Sequence, residues 1–156
     1  MNRVSSTIAT FLFTALLTNA SFAVVLFSCD GLRVNIKNKT NYTCTRTSVW
    51  LRHGDWFYKP PHTVNPGGTG YWGALENIYG PNMALTFECG GYYFSVKNQQ
   101  NHARMRFKGG GKQHNAIYDV DKHLSVSNKQ TQQAECWRDL PGISEVVVSI
   151  KHPKRH

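Results

Sequence analysis

Short runs of alternating apolar and polar residues, interrupted every few positions by glycine, proline or asparagine, constrain this chain more than any other feature. Leu32, Val34 and Ile36 alternate with Arg33, Asn35 and Lys37, placing apolar groups on one side of an extended segment and polar groups on the other. Residues 49–51, 71–75, 83–87, 92–96 and 105–107 repeat the theme, and residues 145–151 carry Val146, Val148 and Ile150 in register. Turn residues separate these segments: His53-Gly54-Asp55, Pro60-Pro61, Asn65-Pro66-Gly67-Gly68, Gly80-Pro81-Asn82, Gly90-Gly91, Gly109-Gly110-Gly111 and Pro141-Gly142. Beyond residue 23 no stretch sustains a 3.6-residue period, and at most a short helix fits within residues 128–137. Strands this short with punctuation this dense predict an all-β fold, an antiparallel β-sandwich or a small barrel, and we take the sandwich.

The N-terminus reads differently. Arg3 precedes the uncharged apolar residues 7–17, and Ser21 and Ala23 supply the small residues of a peptidase site with Phe22 between them. Residues 1–23 are therefore expected to be a secretion signal peptide cut after Ala23, since their apolar core is shorter than the ~20 residues of a spanning helix. That leaves residues 24–156 as one domain ending in a short basic tail, residues 152–156. The expected location is secreted or periplasmic.

Cys29, Cys44, Cys89 and Cys136 all follow the leader, and an even count in an exported chain predicts two disulfides. Three pairings are open. We favour Cys29–Cys136, which ties the first strand to the C-terminal region, with Cys44–Cys89 as the second bridge. No Cys-x-x-Cys or His-x-x-x-His spacing occurs, so no metal site is expected and no cofactor is called for.

With 18 Lys and Arg against 9 Asp and Glu the formal net charge is +9, of which the leader carries only Arg3. Such a surface favours anionic partners: lipid headgroups, acidic glycans or, less strongly, nucleic acid. Gly109-Gly110-Gly111-Lys112 lacks the spacing and following helix of a phosphate loop and reads as a hairpin turn. Asn38-Lys39-Thr40 and Asn41-Tyr42-Thr43 are glycosylation sequons and mark an exposed turn after the first strand. His102, His114 and His123 with Lys112 could serve a basic nuclease or other phosphodiesterase, with Asp119 and Asp121 near in sequence. No Gly-x-Ser-x-Gly or His-Glu-x-x-His motif occurs. An enzyme is thus the alternative reading, and a non-enzyme the favoured one.

Aromatic residues crowd the centre of the chain. Trp50, Trp72 and Phe94 sit within strands and are expected to be structural. Trp56, Tyr58, Tyr79, Tyr92 and Tyr93 sit near turns, with Arg52 and Lys59 as basic support and His53 and His62 nearby. Exposed rings beside cations suit a membrane interface, a choline headgroup or a sugar face.

The order of Leu32 to Asn38, His53-Gly54, Pro60-Pro61-His62-Thr63-Val64-Asn65-Pro66-Gly67 and Gly70-Tyr71-Trp72-Gly73-Ala74-Leu75 resembles the opening half of actinoporin-like and aegerolysin-like cytolysins. Asn82 to Phe87 and Gly90-Gly91-Tyr92-Tyr93-Phe94-Ser95-Val96-Lys97-Asn98 are similar to their membrane-facing strand and aromatic loop. The likeness covers about residues 31–108 and is one of hydrophobicity, turns and aromatics. It implies a β-sandwich that recognises lipid headgroups, with Tyr79, Tyr92 and Tyr93 facing the headgroup by position. Actinoporins also place an amphipathic helix before the sandwich and insert it to make a pore. Here residues 24–29 leave almost no chain for one, and a bridge at Cys29 would tether it. The expected function is therefore binding of lipid headgroups or surface glycans without pore formation by that route. A protein-binding inhibitor or toxin accessory subunit is a third reading of the same stapled sandwich.

Overall fold

The computed structural model describes residues 29–76, 79–101 and 111–151. Ten strands follow one another: β1 (Gly31–Asn38), β2 (Cys44–His53), β3 (Asp55–Tyr58), β4 (Thr63–Val64), β5 (Thr69–Leu75), β6 (Asn82–Cys89), β7 (Tyr92–Gln100), β8 (Gln113–Tyr118), β9 (Leu124–Gln132) and β10 (Gly142–Ile150). They form two five-stranded sheets, ordered β3-β5-β1-β10-β9 and β4-β2-β6-β7-β8. The expected sandwich is therefore the fold.

Alternation explains the core. Leu32, Val34 and Ile36 of β1, Trp72 and Ala74 of β5, and Val146 and Val148 of β10 point inward from the first sheet and are fully buried. Met83, Leu85 and Phe87 of β6 and Phe94 and Val96 of β7 meet them from the second. Phe87 stacks on Phe94 with centroids 5.6 Å apart and reaches Trp72 at 6.0 Å. Trp72 and Phe94 are thus structural, as expected. Trp50 is not: it projects from β2 and stays 46% exposed.

Both disulfides have the favoured pairing. Cys44 and Cys89 face each other directly in the β2–β6 ladder, and Cys29–Cys136 ties the chain before β1 to the short 3-10 turn Cys136–Arg138.

Four details depart from the sequence reading. The segment 128–137 is not helical through most of its length, because β9 runs on to Gln132 and only the 3-10 turn follows. β1 pairs with β10 in parallel, Leu32 opposite Gly142 and Asn38 opposite Val148, although every other ladder is antiparallel among the described residues. Gly142 opens β10 rather than completing a turn; a Cβ there would strike the side-chain amides of Gln100 and Gln113. Asn38, the first sequon asparagine, is 1% exposed. Its amide donates to the carbonyls of Tyr42 and Val64, and its oxygen accepts from the backbone and hydroxyl of Thr40, so it folds the loop from within. The strand expected at residues 105–107, most of the triple-glycine turn and the tail at residues 152–156 lie outside the described residues, as does the leader.

On one flank the space between the sheets is filled by amides. Asn98 of β7 donates to Asn115 of β8 at 3.0 Å and to Asn128 of β9 at 2.8 Å, and Asn128 donates in turn to the Ala116 carbonyl. Ser144 of β10 bonds Gln113 and Asn115, while Gln100 donates to the Cys29 carbonyl at 2.7 Å. Buried amides keep their place only when bonded, so this seam fixes which strands lie opposite one another.

Candidate functional site

At the end of the sandwich where β6 turns into β7, the chain makes a two-residue turn. Gly90 and Gly91 both have positive φ, 62° and 86°, which glycine tolerates and which suits a tight hairpin. The Tyr42 ring lies over Gly90 so closely that any Cβ there would run into it. Tyr42 is held by the Asn38 and Thr40 hydrogen bonds of its loop: Thr40 Oγ1 accepts from the Tyr42 N–H at 3.1 Å.

Tyr92, the first residue of β7, meets the Tyr42 ring edge-on at 6.3 Å. The His123 ring also lies against it, 4.7 Å away. Asp121 fixes that histidine: its carboxylate accepts both the His123 backbone N–H and the ring Nδ1, each at 2.8 Å. Those two bonds, with the nearby Lys122 charge, hold the Asp121 carboxyl below the usual carboxylate range. The loop is anchored further where Asp121 N–H donates to the Tyr93 carbonyl and Lys151 N–H to the His123 carbonyl.

These groups surround an open pocket of about 400 Å³ lined by Lys39, Asn41, Tyr42, Tyr92, His123, Ser149, Ile150 and Lys151. No lining residue is acidic. Two ammonium groups thus share a concave site with three rings, an arrangement that suits an anionic or zwitterionic group carrying apolar substituents.

The structure gathers few of the sequence-derived candidates here. Tyr92 lines the pocket, and Tyr93, 51% exposed, points from the next position of the same strand to the outer sheet face. Tyr79 stacks with His53 at 5.2 Å beside the start of β6, about 25 Å along that strand from Tyr92. Trp56 of β3 is half-buried against the core, and Tyr58 packs edge-on with Tyr71 at 5.0 Å on the outer face of the first sheet, where the Arg33 guanidinium lies over Tyr71. Arg52 and Lys59 are exposed and do not line the pocket. The histidines of the nuclease reading do not converge: His114 lies opposite Gln99 near the far end of β7, His123 beside Tyr92 at its beginning, and His102 falls outside the described residues. No group of three His, Cys, Asp or Glu capable of holding a metal ion occurs among the described residues.

Lys39, Tyr42 and Lys151 escaped the sequence reading. Tyr42 sits inside the second sequon, where a polar turn is the natural inference, and the two lysines are more than a hundred residues apart until β1 and β10 pair in parallel.

No protein-family model matches the sequence, and no curated protein matches it. Solved structures do. One is the crystal structure of the lipid binding protein Nakanori, with a TM-score of 0.54 over 76% of this chain and 70% of that one, at 8% identity. The chain shares its fold with a lipid-binding protein. At that identity the likeness is one of architecture, a strand sandwich common to both.

Proposed function

We propose that this protein binds phosphate-bearing headgroups of membrane lipids through the pocket between the β1–β2 loop, the β6–β7 hairpin and the β8–β9 loop. The observation that carries the reading is the row Tyr42, Tyr92, His123 set between Lys39 and Lys151. The ammonium groups would take the phosphate, and the ring faces the apolar or quaternary-ammonium part of the headgroup. Tyr42 and Tyr93, both exposed, would rest at the level of the headgroups, where amphipathic rings are favoured. The shared fold with a lipid-binding protein supports the choice of partner.

On this reading the protein is a non-enzyme that binds without forming a pore. It is exported by residues 1–23 and matured by cleavage after Ala23. The two disulfides, a bond type typical of extracellular proteins, agree with that compartment. The membership in the actinoporin-like superfamily suggested by residues 31–108 is part of the same proposal.

The test is sedimentation with vesicles of phosphatidylcholine alone and of phosphatidylcholine with phosphatidylserine, at low and high salt, beside a dye-release assay. The expected result is binding that persists in part at high salt, falls about tenfold in Tyr92→Ala and releases no dye. A Lys39→Ala/Lys151→Ala variant should lose mainly the salt-sensitive part. No sedimentation with either vesicle would overturn the proposal.

A further inference from the structure

The outer face of the second sheet carries a groove that the headgroup pocket does not use. Its floor follows from the register: Trp50, Ala84, Lys97 and Ala116 lie in one row across β2, β6, β7 and β8, and Ser48, Thr86, Ser95 and Tyr118 in the next. Ala84, Thr86 and Ser95 lie between Trp50 at one margin and Tyr118 at the other, so the surface is hollow there, with a volume of about 340 Å³ lined by Ser48, Trp50, Ala84, Thr86, Lys97 and Tyr118. That lies in the lower part of the range of about 300–1,000 Å³ usual for small-molecule clefts.

The groove's chemistry is specific. Trp50 and Tyr118 stay 46% and 40% exposed, although neither is in a loop. Thr86 and Ser95 bond one another at 2.8 Å and form a hydroxyl floor, and the methyls of Ala84 and Ala116 leave room above it. Lys97 stands two strands from Trp50, about 10 Å at the usual strand spacing of ~4.8 Å. It forms no ion pair among the described residues. Burial, and then the neighbouring Asp119 charge, push the Tyr118 phenol up, so its hydroxyl remains a donor throughout the neutral range.

We propose that this groove is a binding site for a saccharide bearing a carboxylate. A pyranose has an apolar C–H face and a rim of hydroxyls; the face stacks on Trp50, the rim meets Ser48, Thr86 and Tyr118, and the carboxylate pairs with Lys97. An acyl chain would find a floor of hydroxyls, and a peptide lying on the floor would find β6 and β7 already paired on both sides, with no backbone groups left to bond it there. The carboxylate can belong to a sialic acid or to a uronic acid, and the two are distinguished by the probe.

The experiment is a titration of the purified protein, followed by amide NMR shifts, with sialyllactose and with trigalacturonate, against lactose and maltotriose as neutral controls. One or both acidic sugars should bind at millimolar concentration or below, shifting the amides of β2, β6 and β7 around Trp50 and Lys97. Which of the two binds identifies the source of the carboxylate. Trp50→Ala should weaken binding about tenfold or more, and Lys97→Gln should reduce the acidic sugar to the affinity of its neutral control. Both positions are on the surface, so the variants' dispersed spectra report retained folding. Tyr92→Ala should leave sugar binding unchanged, and Trp50→Ala should still sediment with vesicles. Absence of binding by both acidic sugars, equal binding of neutral ones, or loss of vesicle binding in Trp50→Ala would overturn the proposal.

Discussion

The ring of His123 lies over that of Tyr92 with centroids 4.7 Å apart and planes 34° from parallel, and Asp121 pins the histidine from behind through two hydrogen bonds. The β8–β9 loop is thereby docked on the first residue of β7, so the shape of the pocket depends on a carboxylate that does not itself line it.

That carboxylate sets an acid limit. A carboxyl held below its ordinary range contributes stability that is fully present above the unfolded value, about 3.9, and is lost as pH falls through the lower folded value. The melting temperature of the wild type should therefore exceed that of Asp121→Ala by a constant margin from neutrality to about pH 4, and the margin should shrink below it. Thermal unfolding from pH 7 to pH 2 checks this; a margin that already shrinks between pH 7 and 5 would contradict it.

The two disulfides should separate stability from binding. Cys29–Cys136 lies before β1 and the pocket after it, roughly 27 Å further along the strand. Replacing both cysteines by alanine should cost about 3–5 kcal/mol of stability and leave vesicle binding by the folded fraction unchanged. The same replacement at Cys44 and Cys89, adjacent to the Gly90 turn, should cost a similar amount and weaken binding as well. Denaturant unfolding paired with sedimentation reads both effects.

Asn38→Ala should be among the more damaging single changes in the loops. It removes the amide donor to the Val64 carbonyl and one of the two donors to the Tyr42 carbonyl, the Thr40 hydroxyl being the other, for a loss of about 2–4 kcal/mol, and loosens the Tyr42 ring that covers Gly90. In a glycosylating host, folded protein should carry sugar at the exposed Asn41 and not at the buried Asn38. Mass spectrometry of glycopeptides from the secreted protein would show which asparagine is modified.

Gly90→Ala and Gly142→Ala probe two different constraints. At Gly90 a methyl group meets both a positive φ and the Tyr42 ring, so a loss of about 1–3 kcal/mol should come with weaker vesicle binding. At Gly142 it meets Gln100 and Gln113 in the amide seam, so a similar loss should leave the pocket intact. Equal effects on binding would show that the seam and the pocket are mechanically coupled.

Legibility in the sequence followed the chemistry of the core. β1, β6 and β10 bury Leu, Ile, Val, Met and Phe at every second position, and their alternation is plain. β8 and β9 face the interior with Gln113, Asn115 and Asn128, which bond Asn98, Ser144 and backbone carbonyls across the gap, so the period of two is written in amides and reads as a polar loop or helix. The disulfide pairing was legible from chain position. The pocket was legible only in Tyr92, because its lysines and Tyr42 are brought there by the parallel pairing of β1 with β10 and by a loop folded around Asn38. The groove on the second sheet was hidden because Trp50 and Tyr118, mid-strand and strand-end, resemble core residues until the register shows which way they face.

The place of β10 also dictates an order of events during folding. It lies between β1 and β9, and those two strands have no direct ladder with each other, so the first sheet exists as two fragments until the segment from Gly142 onward has been synthesised and docked. The second sheet, a run of antiparallel neighbours from β2 through β6 and β7 to β8, is free of that dependence. A chain stopped before Gly142 should therefore present the unpaired side of β1 to solvent, an apolar edge prone to self-association. Refolding of the intact chain should fall in the millisecond-to-second range of proteins whose central contact joins distant segments.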